Sequence, residues 1–357
     1  MRTEQLQRAA YLLIIIVLGV VVLNYGQGLV FLILFPAILS FLLLPLCRRL
    51  EKLRLPRWLS VTLSCLSLVV VLSGVMLLMG NQFMSFKEDL PALEKRVNAK
   101  VQSALSTIES EFHVTSREQV IWLQDQVAKL SKTGTRLVLD LFSWTGSFLS
   151  NLVLVLIILF LMLLLRSRFK EFLRRLSDGR DVPLLQIVDD ISQLALKYSK
   201  GVALVILILA VLNSVGFLII GLKHAVLLGV TSAMLTIIPY VGTLIGGLLP
   251  LTVALITKDS MAYPLAVMGV VGLSQFLEGN FITPKIVGSS VSLNPLASIL
   301  ALVSGGMLWG IAGMVLAIPI MGMLKVVCDA VPELQPYGYL LGEESNRGWR
   351  KKVKEPE

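Results

Sequence analysis

Two histidines and three cysteines are all that 357 residues supply of the commonest metal-binding and redox side chains. His113 and His224 are far apart, and Cys47, Cys65 and Cys328 form no CxxC pair, so neither a metal site nor a disulfide framework is expected. Charge is equally scarce: 15% of residues are Asp, Glu, Lys or Arg, against roughly 25% in soluble domains. No GxxxxGK[ST] loop is present, which argues against ATP-driven transport by this chain alone. HExxH, a GxSxG nucleophile elbow and paired membrane aspartates are missing too, so neither an enzyme nor a bound cofactor is expected.

What the chain has in abundance is apolar sequence. Hydrophobic residues make up 55% of it, and the mean hydropathy is +0.81. Apolar runs near the ~20 residues of a membrane span recur along most of its length. The expected fold is all-α, a polytopic helical membrane protein of about eight spans. The net charge of +9 does not point to nucleic acid, because the basic residues cluster in short segments at the ends of apolar runs. That is the pattern of cytoplasmic loops facing anionic lipid headgroups.

Residues 1–80 read as N-terminal spans. The run from Ala9 to Leu23 is short; the next, Leu29 to Leu46, contains Pro36, and an NYGQG turn between them suggests a hairpin. CRRLEKLRLPRW then sets Arg48, Arg49, Lys52, Arg54 and Arg57 against Glu51 alone, which places this loop and the N-terminus in the cytoplasm.

Residues 81–145 differ in character, with basic and acidic residues balanced. Leu90, Leu93, Val97, Val101, Leu105, Ile108 and Phe112 make one helical stripe, and Thr115 with Glu118 forms a capping box for a second helix. An external amphipathic insertion is expected, packed on itself, on the membrane or on a second copy in a homo-oligomer.

Within 146–200, Phe148 to Leu165 is a span. RSRFKEFLRRLSDGR follows, read as a basic helix lying in the headgroup layer, and Pro183 opens a cytoplasmic helix.

Residues 201–328 are the denser part. After a span from Val202 to Ile220, the block 225–256 is interrupted by IIPYVGTLIGGLLP, and 296–327 is interrupted by SGGMLWG. Pro239, Gly242, Gly246, Pro250, Pro284, Gly305 and Gly306 are the helix-break and gating candidates. Two Gly/Pro-interrupted segments of this kind point to a transport site. The tail 329–357, with RGWRKKVK, reads as cytoplasmic.

Between the two broken segments lies QFLEGNFITPKIVGSSVSLNP. A carboxylate and an ammonium in such surroundings line a cavity, pair with each other, or sit at the interface. Glu278 is the candidate proton carrier, with a structural salt bridge to Lys285 as the alternative role. Gln275 shares its helical face. Asn280 and Asn213 complete the candidate set, with Thr236, Tyr240, Thr243 and Asn294 as further polar residues of this half.

FLEGNFITPKIVGSSVSLNPLASILALVSGGMLWGIAGMVLAIP, together with IIPYVGTLIGGLLP, resembles the signature region of the autoinducer-2 exporter family of bacterial permeases. The layout of spans, insertion and broken helices is similar as well. The resemblance implies an inner-membrane permease exporting a small polar solute, coupled to the proton gradient. Some family members are described as monovalent cation/proton antiporters, which is the second expectation. A neutral solute would need hydrogen-bonding groups such as Gln275, Asn280 and Asn213. A cation such as Na⁺ or K⁺ would need a carboxylate and carbonyls at a helix break, as Glu278 and PYVGT supply. A channel-like oligomer assembled through the insertion is a third reading.

Overall fold

A computed structural model describes residues 21–77, 152–177, 183–239, 241–288 and 291–343, with scattered positions in 7–19 and 80–99. About half of the first apolar run, nearly all of the 81–145 insertion including its stripe and capping box, Tyr240 and the basic tail lie outside the described residues. The described residues are helical, and their only β-type pairing is an isolated bridge between Leu293 and Gly342.

Among the described residues, six helices are long and apolar enough to cross a membrane. They are α1 (Gln27–Lys52), α2 (Arg57–Leu77), α3 (Leu152–Ser177), α4 (Leu184–Ile220), Ala262–Ile286 and α8 (Pro295–Ala330). Two shorter apolar helices, α5 (Ala225–Leu235) and α6 (Val241–Thr257), lie between α4 and α7 (Ala262–Leu277). Their side chains suit hydrocarbon: Leu207, Ile219, Leu265 and Met307 are more than half exposed, and scattered large apolar groups of this kind cover the helices. In water such a surface would aggregate; in lipid it costs nothing, and helices are held together by close packing instead.

The N-terminal segments do not form the hairpin expected at NYGQG. Residues 21–25 are helical and run into α1 through a kink at Gly26 (φ −84°, ψ 8°). Gly26 N–H donates to Val22 O at 2.8 Å and Val30 N–H to Gly26 O at 3.0 Å, so helical bonding continues on both sides. A β-carbon at Gly26 would stand 2.6 Å from the Val22 carbonyl, so glycine here allows a bend rather than a reversal.

Two further boundaries differ from the expectation, for one reason. Basic residues after Leu165 change the solvent preference but do not break a helix, so α3 runs unbroken to Ser177 instead of restarting as a separate surface helix. The Pro183 helix likewise continues through Gly201 into the next span. At ~1.5 Å per residue, the 37 residues of α4 reach ~55 Å, well beyond the ~30 Å hydrocarbon layer.

The chain divides into two compact units, each discontinuous in sequence. One comprises 1–67, 154–202 and 284–357. Inside it α1 meets α2 through small side chains: Cys47, Ser60 and Ser64 are fully buried, and Cys47 Sγ donates to Ser64 Oγ at 3.1 Å. Small residues let the backbones approach closely. In the same unit Gly322 packs against Leu194 and Val291.

The other unit comprises 68–153 and 203–283. Its core is Phe217, Leu222, Ala225, Leu227, Leu228, Val253, Ala254 and Val267, drawn from α4, α5, α6, α7 and the turn before α5. Gly216 packs directly on Val270, and Gly229 on Ser214.

Among the described residues, each unit contains a helical hairpin closed by glycine contacts. In the second unit α5 and α6 are antiparallel arms: Gly242 lies against the Leu235 carbonyl, and Gly246 against Ser232. Pro239 falls in the turn, where its missing N–H breaks the bonding ladder. The 11 residues of α5 reach only ~16 Å, about half the hydrocarbon thickness.

In the first unit α8 is two arms folded at Trp309 (φ −133°, ψ 16°) and Gly310 (φ 60°, ψ −139°). Gly305 then faces Gly313 and Gly306 faces Met314, contacts that a straight helix cannot make. The Trp309 indole N–H donates to Leu23 O at 2.8 Å and pins the turn to the N-terminal helix.

Candidate functional site

The second unit contains a recess with lining from all four of its C-terminal helices. Asn213 comes from α4, Ser232 from α5, Thr243, Gly246 and Gly247 from α6, Val271 and Gln275 from α7, and Thr236 from the turn between α5 and α6. The polar lining is uncharged: three hydroxyls and two carboxamides. About 10 Å³ lies free between them, room for one water-sized group.

Two features make this recess chemically distinctive. Asn213 is only 5% exposed, yet its Oδ1 has no protein partner. Leaving a buried carboxamide oxygen unpaired costs about 1–3 kcal/mol, so selection for stability alone would favour an apolar residue. Ser232, in contrast, is satisfied: its Oγ donates to the Gly246 carbonyl at 2.5 Å, tying the arms of the hairpin together. Thr236 Oγ1 bonds back to Ala233 O at 2.7 Å, fixing that hydroxyl at the turn.

Glu278 stands one helical turn beyond Gln275, close enough for the two side chains to interact. There α7 gives way to a π-helical turn, Glu278–Ile282, followed by Thr283–Ile286. Such wide turns free backbone groups and recur at functional sites. Glu278 is half-buried and its Oε2 has no protein partner. Asn280, by contrast, is exposed, and its Nδ2 donates to Phe276 O of its own helix at 2.9 Å. Lys285 is exposed.

The structure therefore gathers Asn213 and Gln275 with Thr236 and Thr243, and sets Glu278 beside them. Asn280 and Lys285 are not part of the recess lining. Of the helix-break candidates, Pro239 lies in the first hairpin turn, and Gly242 and Gly246 at the contact of its arms. Pro250 is buried inside α6, which continues through it. Pro284 lies in the short helix after the π turn. Gly305 and Gly306 are helical, and the reversal falls just beyond them at Trp309 and Gly310.

Ser232 in the recess and, in the first unit, the Lys325–Asp329 pair carry weak sequence signals. Ser232 sits in an apolar run, and only its pairing with Gly246 gives it a role. Lys325 is 6% exposed in α8, and its Nζ donates to Asp329 Oδ2 at 2.5 Å, the i,i+4 spacing being the clue. Beside that pair, Gly338 packs on Asp329 and Gly342 on the Lys325 stem, so the segment through α9 (Gln335–Leu341) folds back on α8. No group of three or more His, Cys, Asp or Glu side chains is placed to hold a metal among the described residues.

A helical hairpin in each unit, long apolar helices and a small polar recess within the second unit are the features of a multi-pass membrane permease. The AI-2E family transporter model matches residues 12–333, and the chain belongs to that family. Similar proteins include YueF of Bacillus subtilis (strain 168), 30% identical over 312 residues that cover 82% of this chain and 81% of YueF. PerM of Escherichia coli (strain K12) is 25% identical over 346 residues, covering 92% and 94% of the two chains. The AI-2 transport protein TqsA of the same strain is 22% identical over 342 residues, covering 92% and 95%. These relatives are named for transport or permease function, not for catalysis.

Proposed function

We propose that this permease exports a small polar solute of the kind TqsA is named for, or a related metabolite, driven by the proton gradient. The observation that carries the reading is the recess lining. Hydroxyls and carboxamides with no formal charge recognise a neutral, oxygen-rich molecule by hydrogen bonding, and the unpartnered Asn213 Oδ1 offers an acceptor for a solute hydroxyl. The ~10 Å³ of free space holds only a water-sized group, so in this reading the lining helices move apart to admit the solute. Glu278, adjacent through Gln275, is the group that would take up and release the coupling proton.

The unpartnered Glu278 oxygen and a recess of water size favour one second reading, a Na⁺ or K⁺/proton antiporter. A partly dehydrated monovalent cation fits the free space and would bind the same amide and hydroxyl oxygens.

The basic residues after α1 and along the end of α3 support an inner-membrane orientation with those loops and the C-terminus in the cytoplasm; the kink at Gly26, in place of a hairpin, removes the basis for placing the N-terminus on the same side. The apolar stripe from Leu90 to Phe112 supports a homo-oligomer joined through the inserted segment. Residues 201–328 act as the transport core in this reading, with 81–145 as an accessory element.

Purified protein in liposomes loaded with a pH-sensitive dye separates the readings. Proton movement that requires an outward gradient of a labelled furanone or polyol, and ignores Na⁺ and K⁺, supports the exporter. Proton movement that requires a cation and ignores the solute replaces it with the antiporter.

A further inference from the structure

A charge cluster in the first unit takes no part in the recess chemistry. Glu51 lies in the last turn of α1, Arg57 begins α2, and Arg166 and Ser167 follow the apolar run of α3 that ends at Leu165. Arg166 pairs with Glu51, each side chain 25% exposed. Arg57 has no carboxylate of its own: Nη1 donates to Ser167 Oγ at 2.5 Å and Nη2 to Leu163 O at 3.5 Å.

The cluster is unbalanced in charge and in hydrogen bonding. Two guanidiniums share one carboxylate, and the three groups are near enough to influence one another electrostatically. Arg57 Nε, Arg166 Nη1 and Glu51 Oε1 are buried without a protein partner. Two positive charges held together are stabilised by an anion with several acceptor oxygens, and guanidinium forks match phosphate geometry.

The surroundings say where that anion comes from. Arg57 and Arg166 both stand at the ends of apolar runs, at the level where headgroups lie. Trp58, Phe169 and Leu53 flank them and are more than half exposed. Trp is favoured at this interface, with its ring against acyl chains and its N–H toward water. Arg48, Arg49, Lys52, Arg54, Arg168 and Lys170 add positive field around the cluster.

We propose that Arg57 and Arg166 form a binding site for the phosphate of an anionic phospholipid headgroup, with Trp58 and Phe169 against its acyl chains. The bound lipid would bridge the α1–α2 corner to α3 and neutralise the excess charge there.

Native mass spectrometry of the full chain in mild detergent, titrated with phosphatidylglycerol or phosphatidylcholine, tests this. Phosphatidylglycerol should be retained in preference to phosphatidylcholine, whose choline the cluster repels. Arg57→Gln should lower retention roughly tenfold, the equivalent of ~1.4 kcal/mol, and Arg57→Lys should lower it less. Glu51→Gln, which removes the competing carboxylate, should raise it. This opposite sign also keeps the test decisive if Arg57→Gln fails to fold. Equal retention of the two lipids, or no gain in Glu51→Gln, would overturn the proposal. Inorganic phosphate binding as tightly as phosphatidylglycerol, and displacing it, would reassign the site to a soluble anion.

Discussion

Gly305 and Gly313 lie backbone against backbone across the α8 hairpin: a β-carbon on Gly313 would overlap the Gly305 carbonyl oxygen. No rotamer can relieve that contact, because the obstacle is main chain. The two arms can therefore lie side by side only while both positions remain glycine. Trp309 and Gly310 supply the reversal, and Gly310 occupies a backbone region essentially reserved for glycine.

Gly313→Ala is expected to lower the melting temperature in detergent by several degrees, for a cost of about 1–3 kcal/mol from overpacking. Gly74→Ala is the control, since nothing lies within 4 Å of its added methyl and alanine favours the helix. A Gly313→Ala protein as stable as wild type would show that the arms separate readily.

Asn213→Leu should separate stability from function. Replacing a buried carboxamide whose oxygen is unpartnered with a similar-sized apolar side chain removes a desolvation penalty. The melting temperature should hold or rise, while flux in liposomes falls at least ~tenfold, as one solute hydrogen bond is lost. Unimpaired flux would remove Asn213 from the transport path.

Glu278→Gln keeps size and hydrogen bonding but carries no titrating proton. Flux should become independent of pH, and dye-reported proton movement should stop, with the protein still folded by circular dichroism. Retention of the wild-type pH profile would reduce Glu278 to a structural residue of the π turn.

Asn294 does two jobs that two substitutions can divide. Its Oδ1 accepts from Ala297 N–H at 2.7 Å and caps α8, and its Nδ2 donates to Leu340 O at 2.6 Å, holding the C-terminal segment. Asn294→Asp keeps the cap and loses the second bond. Hydrogen exchange in Gln335–Leu341 should rise in both Asn294→Asp and Asn294→Ala, while only the alanine should lose the ~1 kcal/mol of the cap. Unchanged exchange in both would mean that the backbone pairing of Leu293 and Asn294 with Leu341 and Gly342, together with the Lys325–Asp329 end of α8, holds the segment without the Asn294 side chain.

Membrane class, helical fold and the location of both broken segments were legible in the residues because their causes are local. Span-length apolar runs need no partner to be recognised, Pro239 removes a helical donor wherever it occurs, and clustered glycines mark where close approach or an unusual backbone angle is possible. The direction of each interruption was not legible. NYGQG and SGGMLWG read alike as breaks, but Gly26 yields a kink and Gly310 a reversal. The difference lies in a dihedral angle and in whether the arms can pack afterwards, as Gly305 and Gly313 do. Pro250 shows the opposite limit, a helix breaker that α6 absorbs in a buried setting.

The candidate site divides in the same way. Gln275 and Glu278 were found together because three-residue spacing places them on one helical face, a property of one helix. Bringing Asn213, Ser232 and Thr243 to Gln275 takes three more helices, and no sequence interval encodes that meeting. Polar chemistry inside an apolar chain was written in the residues themselves. Which of those residues share a recess, and which, like Asn280, spend their hydrogen bonds on their own helix, was decided by tertiary packing, because a helix fixes its own faces but its neighbours choose which one is enclosed.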